Sequence, residues 1–596
     1  MKTLFPLLSQ VAASSLLALG LFATISPVQA QSRNLYDWAW VSRLGPTALP
    51  GQGAPLLPPA IDGQPEHIAA DGASNVVITG LYDPDVIFDN PTAPYQTGLG
   101  PRGRRNGYLA KYTPSGALAW SLNIASDADM AMNDVATDGL GNIYALGNYT
   151  QQLRIGGAVV TLTSNTRASF IAKFSPTGAL LWVNNVEPDA PVTNTIGLKR
   201  LATDAAGNCV VQGEFLSRIV FNGVVYDGGN SRTHLFMARY STTGVLVGAF
   251  AGYAMTGTTQ DRLITGVGLT STGETYVSGS VTAAATLQFG TLPPITGPTT
   301  ANAAGFLLKF SAANAPVWAL STTGPARQSS TTASGQSLDG IAVGPQDRCY
   351  AVGSLNGSTM ALGAQPLNTG NLAGAVGKDI FVARIAPSGV VESLVGGGGT
   401  SKVWGFAVGP QGETTISTGG GLDWGAVQLP GAAWPASLLT GVVQLNATGM
   451  PQRGWQAGLS FFAPLIAVDG LNRPVLAGTY ATAGTFTFGT QQHSSPYAWS
   501  TLIARTGTVL LATRQATQVP GLEVYPNPAR NVVEVHTAKA EPAATHLLDA
   551  LGRTVRTQFL SVGQTQVTLT GLAPGFYTLV VQQGATRSYR HLTVEL

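Results

Sequence analysis

The sequence predicts an all-β chain: a seven-bladed β-propeller of four-stranded blades followed by a small C-terminal Ig-like β-sandwich. Three observations predict it. Short apolar runs bounded by Gly, Asp, Asn and Pro recur throughout, the pattern of strands rather than helices. Four such runs make a unit that returns seven times. The last stretch, 521–596, leaves that period for about seven shorter runs joined by Gly/Pro turns.

The unit is plainest over Asn133–Asn185, where the runs are Val135–Thr137, Ile143–Leu146, Phe170–Phe174 and Leu180–Val183. Turn formers separate them: Asp138-Gly139 with Gly141-Asn142, a Gly/Thr/Asn-rich middle, then Ser175-Pro176-Thr177-Gly178. A glycine closing the second run marks each copy: Gly80, Gly147, Gly213, Gly279, Gly353, Gly419 and Gly478, spaced by 67, 66, 66, 74, 66 and 59 residues. The first and third runs keep step with it, from HIAAD and YLAKY in copy one to LIAVD and TLIAR in copy seven. The fourth often carries tryptophan, as at Trp120, Trp182, Trp318 and Trp455. One four-stranded sheet cannot bury both its faces, whereas seven packed face to face can. An extended solenoid is the weaker alternative, because it needs polar caps that the sequence does not show.

Closure follows from the ends. After Arg505 only Thr506-Gly507 and TVLLATR remain, without tryptophan, while YDWAWVSRLG precedes copy one. Trp38–Ser42 is therefore expected to complete the last blade, with Thr508–Thr513 competing for that edge. Between second and third runs each copy has an insert marked by Phe88, Ile155-Gly156, Phe221, Phe289-Gly290, Leu362-Gly363, Trp424-Gly425 or Phe488-Gly489. The aromatics are expected to pack on their own blade, and the loop tips to decorate one rim.

Residues 1–30 read as a secretory signal, with Lys2, the apolar core Val11–Ile25 and Ala30 before the cleavage point. No later run approaches the ~20 apolar residues of a membrane-spanning helix. Charged residues are 10% of the chain, against the usual ~25%, and net charge is +2. That leaves no basic field for nucleic acid or a lipid surface. Arg102, Arg104 and Arg105 read as a solvated loop. Cys209 and Cys349 fall at the same buried strand position two blades apart, too far for a bridge. The propeller should span 32–515, a linker 516–520 and the sandwich 521–596.

In that tail stand Tyr525-Pro526-Asn527-Pro528, then Asp549 to Arg553 with Gly552, then Gly571-Leu572-Ala573-Pro574-Gly575-Phe576-Tyr577, and a terminal strand His591–Leu596. In order, spacing and placement these resemble the type A C-terminal sorting domain of the type IX secretion system of Bacteroidota. The repeats resemble the SBBP-type propeller repeat, D-x-x-G-N-x-Y-x-x-G, from which copies four to seven depart. The resemblance implies a route: across the inner membrane by the signal, then recognition of the tail by the type IX machinery. Release or attachment at the outer-membrane surface follows, commonly with tail removal. Pro526, Pro528, Gly571 and Gly575 are expected to shape turns, and Phe576 and Tyr577 to pack between sheets.

No catalytic constellation stands out. His67, His234, His493, His536, His546 and His591 are scattered, without metal-ligand spacing. The repeated Asp71, Asp138, Asp204 and Asp469 suggest either calcium ligation or Asx-type turns. The turns are preferred, because a calcium loop needs more oxygen ligands. No cofactor is expected. Asp134, Asp261, Asp339 and Asp379 lie near strand starts and could meet across blades. Two functions remain. One is an exported, non-enzymatic binding or adhesion module for a glycan or an envelope protein. The other is a polysaccharide-active enzyme, which requires two carboxylates about 5–10 Å apart.

Overall fold

The computed structural model describes residues 38–45, 65–82, 85–88, 96–97, 106–128, 130–155, 158–161, 167–188, 196–216, 218–221, 224–227, 233–251, 255–256, 264–281, 285–298, 303–324, 336–355, 359–370, 378–399, 403–419, 422–425, 427–429, 439–480, 484–488, 491–495, 500–507, 519–549, 554–583 and 586–595. Among them the chain is all-β, with a single 3-10 turn at Pro345–Asp347 and no α-helix. It divides into two compact bodies, Met1–Thr508 and Val509–Leu596. The predicted signal at 1–30, the three arginines of 102–105, Thr508–Thr513, Asp261 and Gly552 lie outside the described residues.

The first body is built from antiparallel quartets of strands. In copy two, Met130–Thr137, Ile143–Thr150, Arg167–Phe174 and Leu180–Pro188 pair in sequence order. Copy one repeats this from Pro65–Ala70 to Leu118–Ser126, copy three from Ile196–Thr203 to Leu246–Ala251. Copies four and five run from Ile264–Leu269 to Pro316–Thr323 and from Ser337–Val343 to Val391–Gly399. Copies six and seven share the 18-residue strand Pro451–Val468. Its first half ends the sixth quartet against Leu439–Leu445, and its second half starts the seventh against Pro474–Tyr480. Ser500–Thr506 comes next. Its far side is taken by the N-terminal strand Trp38–Gly45, with Trp40 opposite Arg505 and Leu44 opposite Thr501.

Interior strands such as Val76–Tyr82, Asn106–Tyr112, Ala304–Phe310 and Cys349–Leu355 are buried along their whole length. They are covered on both faces, so they read as continuous apolar runs instead of alternating ones. The core lies as slabs between successive quartets. One slab joins Val77 and Leu109 of copy one to Ile143 and Phe170 of copy two. Another joins Trp40, Val475 and Ile503 to Val76, Ile78 and Tyr108. Successive first strands touch one another, and that of copy seven touches that of copy one. Cys209 and Cys349 are free and buried, each in a different slab.

The marker glycine is explained by a bulge. Each first strand skips a residue in its pairing, for example between Met132 and Asp134, Leu198 and Arg200, or Leu338 and Gly340. In copies two, three and five the skip pushes the strand's backbone onto the glycine opposite, whereas in copy six Thr418 and not Gly419 stands opposite the bulge. A Cβ on Gly213 would stand 2.3 Å from the Gly197 carbonyl oxygen, and one on Gly353 2.1 Å from that of Ser337. Close backbone approach, not an unusual φ, excludes any side chain there.

Neighbouring quartets are latched through their third-to-fourth turns. Trp120 Nε1 donates to the Pro176 carbonyl (3.0 Å), Trp182 to Thr242 (3.2 Å) and Trp318 to Pro387 (3.0 Å). Each indole lies on the turn's glycine: Gly178, Gly244 and Gly389, all at φ near +80° to +90°. Trp40 makes the same contact with copy one, donating to Pro114 at 3.1 Å over Gly116. Trp455 is not an equivalent residue: it pairs with Val442, and Arg453 holds the latch position opposite Gln444.

The inserts depart from expectation. Their aromatics do pack on their own quartet, Phe221 5.1 Å from Phe236 and Phe289 6.1 Å from Phe306 between ring centres. Their backbones, however, extend the preceding quartet. Gln152–Ile155 pairs with Leu118–Ser126, Arg218–Phe221 with Leu180–Pro188, Thr359–Leu362 with Pro316–Thr323, and Leu422–Trp424 with Val391–Gly399. Asp85–Phe88 follows the same rule with Trp38–Gly45. Each hairpin thereby covers an outer edge that would otherwise be open to pairing.

The second body holds the seven strands expected of the tail. Glu523–Tyr525, Val532–His536 and Gln566–Thr568 form one sheet. Thr554–Leu560, Ala543–Leu548, Gly575–Gln583 and Thr586–Val594 form the other. Val533, Leu547, Leu560, Val567, Leu579, Val581 and Leu592 fill the core they share.

Three substitutions test this reading. Trp40→Ala and Trp182→Ala should each cost about 3–5 kcal/mol in urea unfolding; a loss under about 1 kcal/mol for Trp40→Ala alone would separate the N-terminal strand from the other latches. Gly213→Ala should cost about 3 kcal/mol through overpacking against a carbonyl that cannot retreat.

Candidate functional site

Two places carry recognisable chemistry. The first is the tail motif. Asn527 mimics a strand: its Nδ2 donates to the His591 carbonyl and its Oδ1 accepts from Thr593 N–H, both at 2.8 Å. Ala529, buried beside it, exchanges backbone bonds with Thr593 and Glu595. The motif therefore pins the final strand. Tyr525, Pro526, Asn527 and Pro528 are themselves exposed, and Tyr525 stacks on His536 at 5.2 Å. Gly571 takes φ +82° in the turn that Leu572 N–H closes to Leu569. Leu572 and Tyr577 pack against the core, and the Tyr577 hydroxyl donates to the Ala573 carbonyl at 2.8 Å. Pro574 is exposed, and Gly575 opens the strand opposite Val594. Phe576 overturns its expectation: it is 76% exposed. Strand parity allows only one of Phe576 and Tyr577 to face inward, and Leu579 and Val581 already assign that face to Tyr577.

The second place is the bulged end of the first strands. The bulge residues are Glu66, Asn133, Lys199, Thr265, Asp339 and Trp404 in copies one to six. Residues just after the bulge tie one first strand to the next. His67 Nδ1 lies 3.3 Å from Asp134 Oδ1. Asp134 Oδ2 accepts from Leu201 N–H at 2.9 Å, and Arg200 Nε donates to the Thr265 carbonyl at 3.0 Å. Burial alone would raise the Asp134 pKa, but His67, Arg200 and the Leu201 amide outweigh it and hold the carboxyl below its ordinary range. The His67–Asp134 pair was not visible in a sequence that scatters its histidines. Asp339, three copies on, accepts from the Ser337 and Ser354 hydroxyls. Asp379 sits on a third strand, buried, with the Thr369 hydroxyl on it.

The repeated aspartates are Asx turns. Asp138 Oδ1 accepts from the Leu140 and Asn142 amides, at 3.0 and 2.9 Å. Asp71, Asp204 and Asp469 accept likewise from Asn75, Asn208 and Arg473. The cation beside three of them is a side chain: Lys111 on Asp71 (3.1 Å), Lys173 on Asp138 (3.4 Å), Arg473 on Asp469 (2.7 Å). Among the described residues, no group of three or more His, Cys, Asp or Glu could hold a metal ion.

Comparison with known proteins adds the following. Over 184 residues the chain is 26% identical to an uncharacterised WD repeat-containing protein of Acanthamoeba polyphaga mimivirus; the match covers 27% of this chain and 13% of that protein. Among solved structures it is similar to a catalytically inactive virginiamycin B lyase from Staphylococcus aureus with quinupristin, at 9% identity and TM-score 0.30, covering 78% of this chain and all of that one. A glycoside hydrolase family 32 protein from Bifidobacterium adolescentis is similar at 10% identity and TM-score 0.21, over 88% of this chain and 93% of its own. Residues 523–595 match the secretion system C-terminal sorting domain. That match marks a type IX secreted protein, cell-surface or extracellular, whose tail engages the secretion machinery. No helix among the described residues is long and apolar enough to cross a membrane.

Asp134 yields a pH test. Its folded pKa is depressed, so its contribution is full above the ordinary carboxylate value near pH 4 and is lost as pH falls through the folded value. Asp134→Asn should melt below wild type at neutral pH, and the gap should close toward about pH 2.

Proposed function

We propose that the first body is a closed seven-bladed β-propeller and that the protein acts outside the cell as a non-enzymatic binding module. On this reading Trp38–Gly45 is the fourth strand of the last blade, and the tail is an Ig-like sandwich serving as the export address. Supporting closure, the junction of copies seven and one repeats the contacts found inside the chain. Trp40 reaches Pro114, Arg505 reaches the same carbonyl as Lys173 reaches Thr242, and Gly470 lies on the Gly72 carbonyl as Gly139 lies on Ala205.

The observation that carries the binding role is chemical variety at the bulge of the first strands. Scaffold residues recur from copy to copy, whereas the bulge residue runs Glu66, Asn133, Lys199, Thr265, Asp339, Trp404. A fixed frame presenting a varied rosette is how repeat proteins build binding faces. A glycan or an envelope protein is the partner proposed, with no cofactor, since the repeated carboxylates are turn acceptors and three face protein cations. The second reading, a polysaccharide-active enzyme, draws on the His67–Asp134 pair, in which a carboxylate orients an imidazole.

The test is twofold. Deleting 521–596 should trap the protein inside the cell envelope while the full chain reaches the surface or the medium; export of the truncated chain would contradict the address. The purified propeller on a glycan and envelope-protein array should bind without consuming its ligand. Turnover abolished by His67→Ala would favour the enzyme instead.

A further inference from the structure

Resting on the reading of the tail as the export address, we propose that the secretion machinery grips one outer face of the second body, the aromatic face of its four-stranded sheet. The motif residues themselves are largely committed elsewhere. Asn527 and Ala529 pin the final strand, Gly571 shapes a turn, and Leu572 and Tyr577 pack on the core. What they build is a sandwich with two unlike outer faces.

Strand parity assigns those faces. On the four-stranded sheet Leu547, Leu560, Leu579 and Leu592 point into the core. Their strand neighbours point out, and the register aligns them. Ala544 stands between Phe559 and Gln582, and His546 between Thr557 and Val580. Tyr589 is opposite Val580, and Phe576 opposite Thr593. Phe559 is 67% exposed and Phe576 76%. Tyr589, which has a contact of its own, is still 53% exposed. Among the described side chains of this face there is no carboxylate. The three-stranded sheet instead turns out Glu523, Glu534 and His536. There Glu534 accepts from the Thr565 hydroxyl and the Gln566 amide, and Tyr525 stacks on His536. That face is polar and bonded within itself.

Phe559 and Phe576 lie at opposite corners of their sheet, about 20 Å apart along the strands, with Leu548, Val580 and threonines between them. Rings this exposed add little to the core behind them. Aromatic anchors on a ground without carboxylates have the composition of an interface centre. The family match fixes the occupant: it covers 523–595, which holds both sheets, and marks a domain that engages the secretion machinery. The complementary surface on that machinery is apolar and uncharged, and takes both rings.

The test is export of the full-length chain from a type IX-secreting bacterium. A Phe559→Thr, Phe576→Thr double variant keeps strand-forming side chains and should reach the surface or medium at least 10-fold less than wild type, with unchanged melting temperature. Phe559→Tyr with Phe576→Tyr should be exported normally, as should Glu523→Ser with Gln566→Ser on the opposite face. Should the threonine pair lower the melting temperature, Phe576→Thr alone, at the more exposed ring, decides by the same reading. Normal export of the threonine variant while deletion of 521–596 is retained overturns the face and leaves the address standing. Export of the deleted chain overturns both. Equal retention of the opposite-face variant overturns the choice of face. Dimerisation or lipid-vesicle binding by the purified protein, lost in the threonine variant, gives the face to a second copy or a membrane and overturns the proposal.

Discussion

Everything in the first body depends on one contact: a side chain of one quartet donating to the turn of the next. In its commonest form an indole N–H reaches the turn carbonyl while the ring lies on a glycine held at positive φ. Only glycine permits both the backbone conformation and the approach of the ring. The bond is modest alone. The indole's burial against a backbone plate supplies the larger part, and it fixes the angle at which one sheet meets the next.

The contact adapts without being lost. Opposite three of the indoles stands a third-strand lysine, Lys111 with Trp120, Lys173 with Trp182 and Lys309 with Trp318, and opposite Trp40 stands Arg505. Where the partner is small, as at Gly248 and Ser393, the third strand carries Arg239 or Arg384. Their longer guanidinium groups take carbonyls of the neighbouring turn, at Ser311 and Ala447. The junction of copies six and seven differs for a topological reason. The seventh quartet's fourth strand comes from the N-terminus, so no turn joins it to the third. There Gln444 reaches the Asn472 side chain instead, at 3.1 Å.

Much of this was legible in the sequence. The period, the marker glycine and the strand order survive because each copy solves the same packing problem with the same residue types. The N-terminal strand was legible from a tryptophan standing where a fourth strand was missing. The bulge was not, because a skipped residue leaves the apolar pattern nearly intact and shows itself only through the glycine opposite. The third-strand cation stood in plain view in YLAKY and FIAKF, but its partners lie on another strand and in the neighbouring copy, and a one-dimensional reading does not join them. The hairpins' destination was hidden for the same reason. Phe576 could have been placed by parity alone.

A frame of repeated quartets also says where variation is harmless. Turn and slab positions are committed to neighbours, while the bulged ends project varied side chains at no cost to the latches. The tail contributes separately, its Asn527 fastening the last strand. The claim beneath all of this is that the N-terminal strand seals the first body. The most direct measurement is oxidation of a Val41→Cys, Ala504→Cys double variant, residues opposite each other across that seam. The account predicts a rapid intramolecular disulfide, seen by mass spectrometry, with a raised melting temperature. A folded protein that forms no such bond, or only cross-links between molecules, would contradict it.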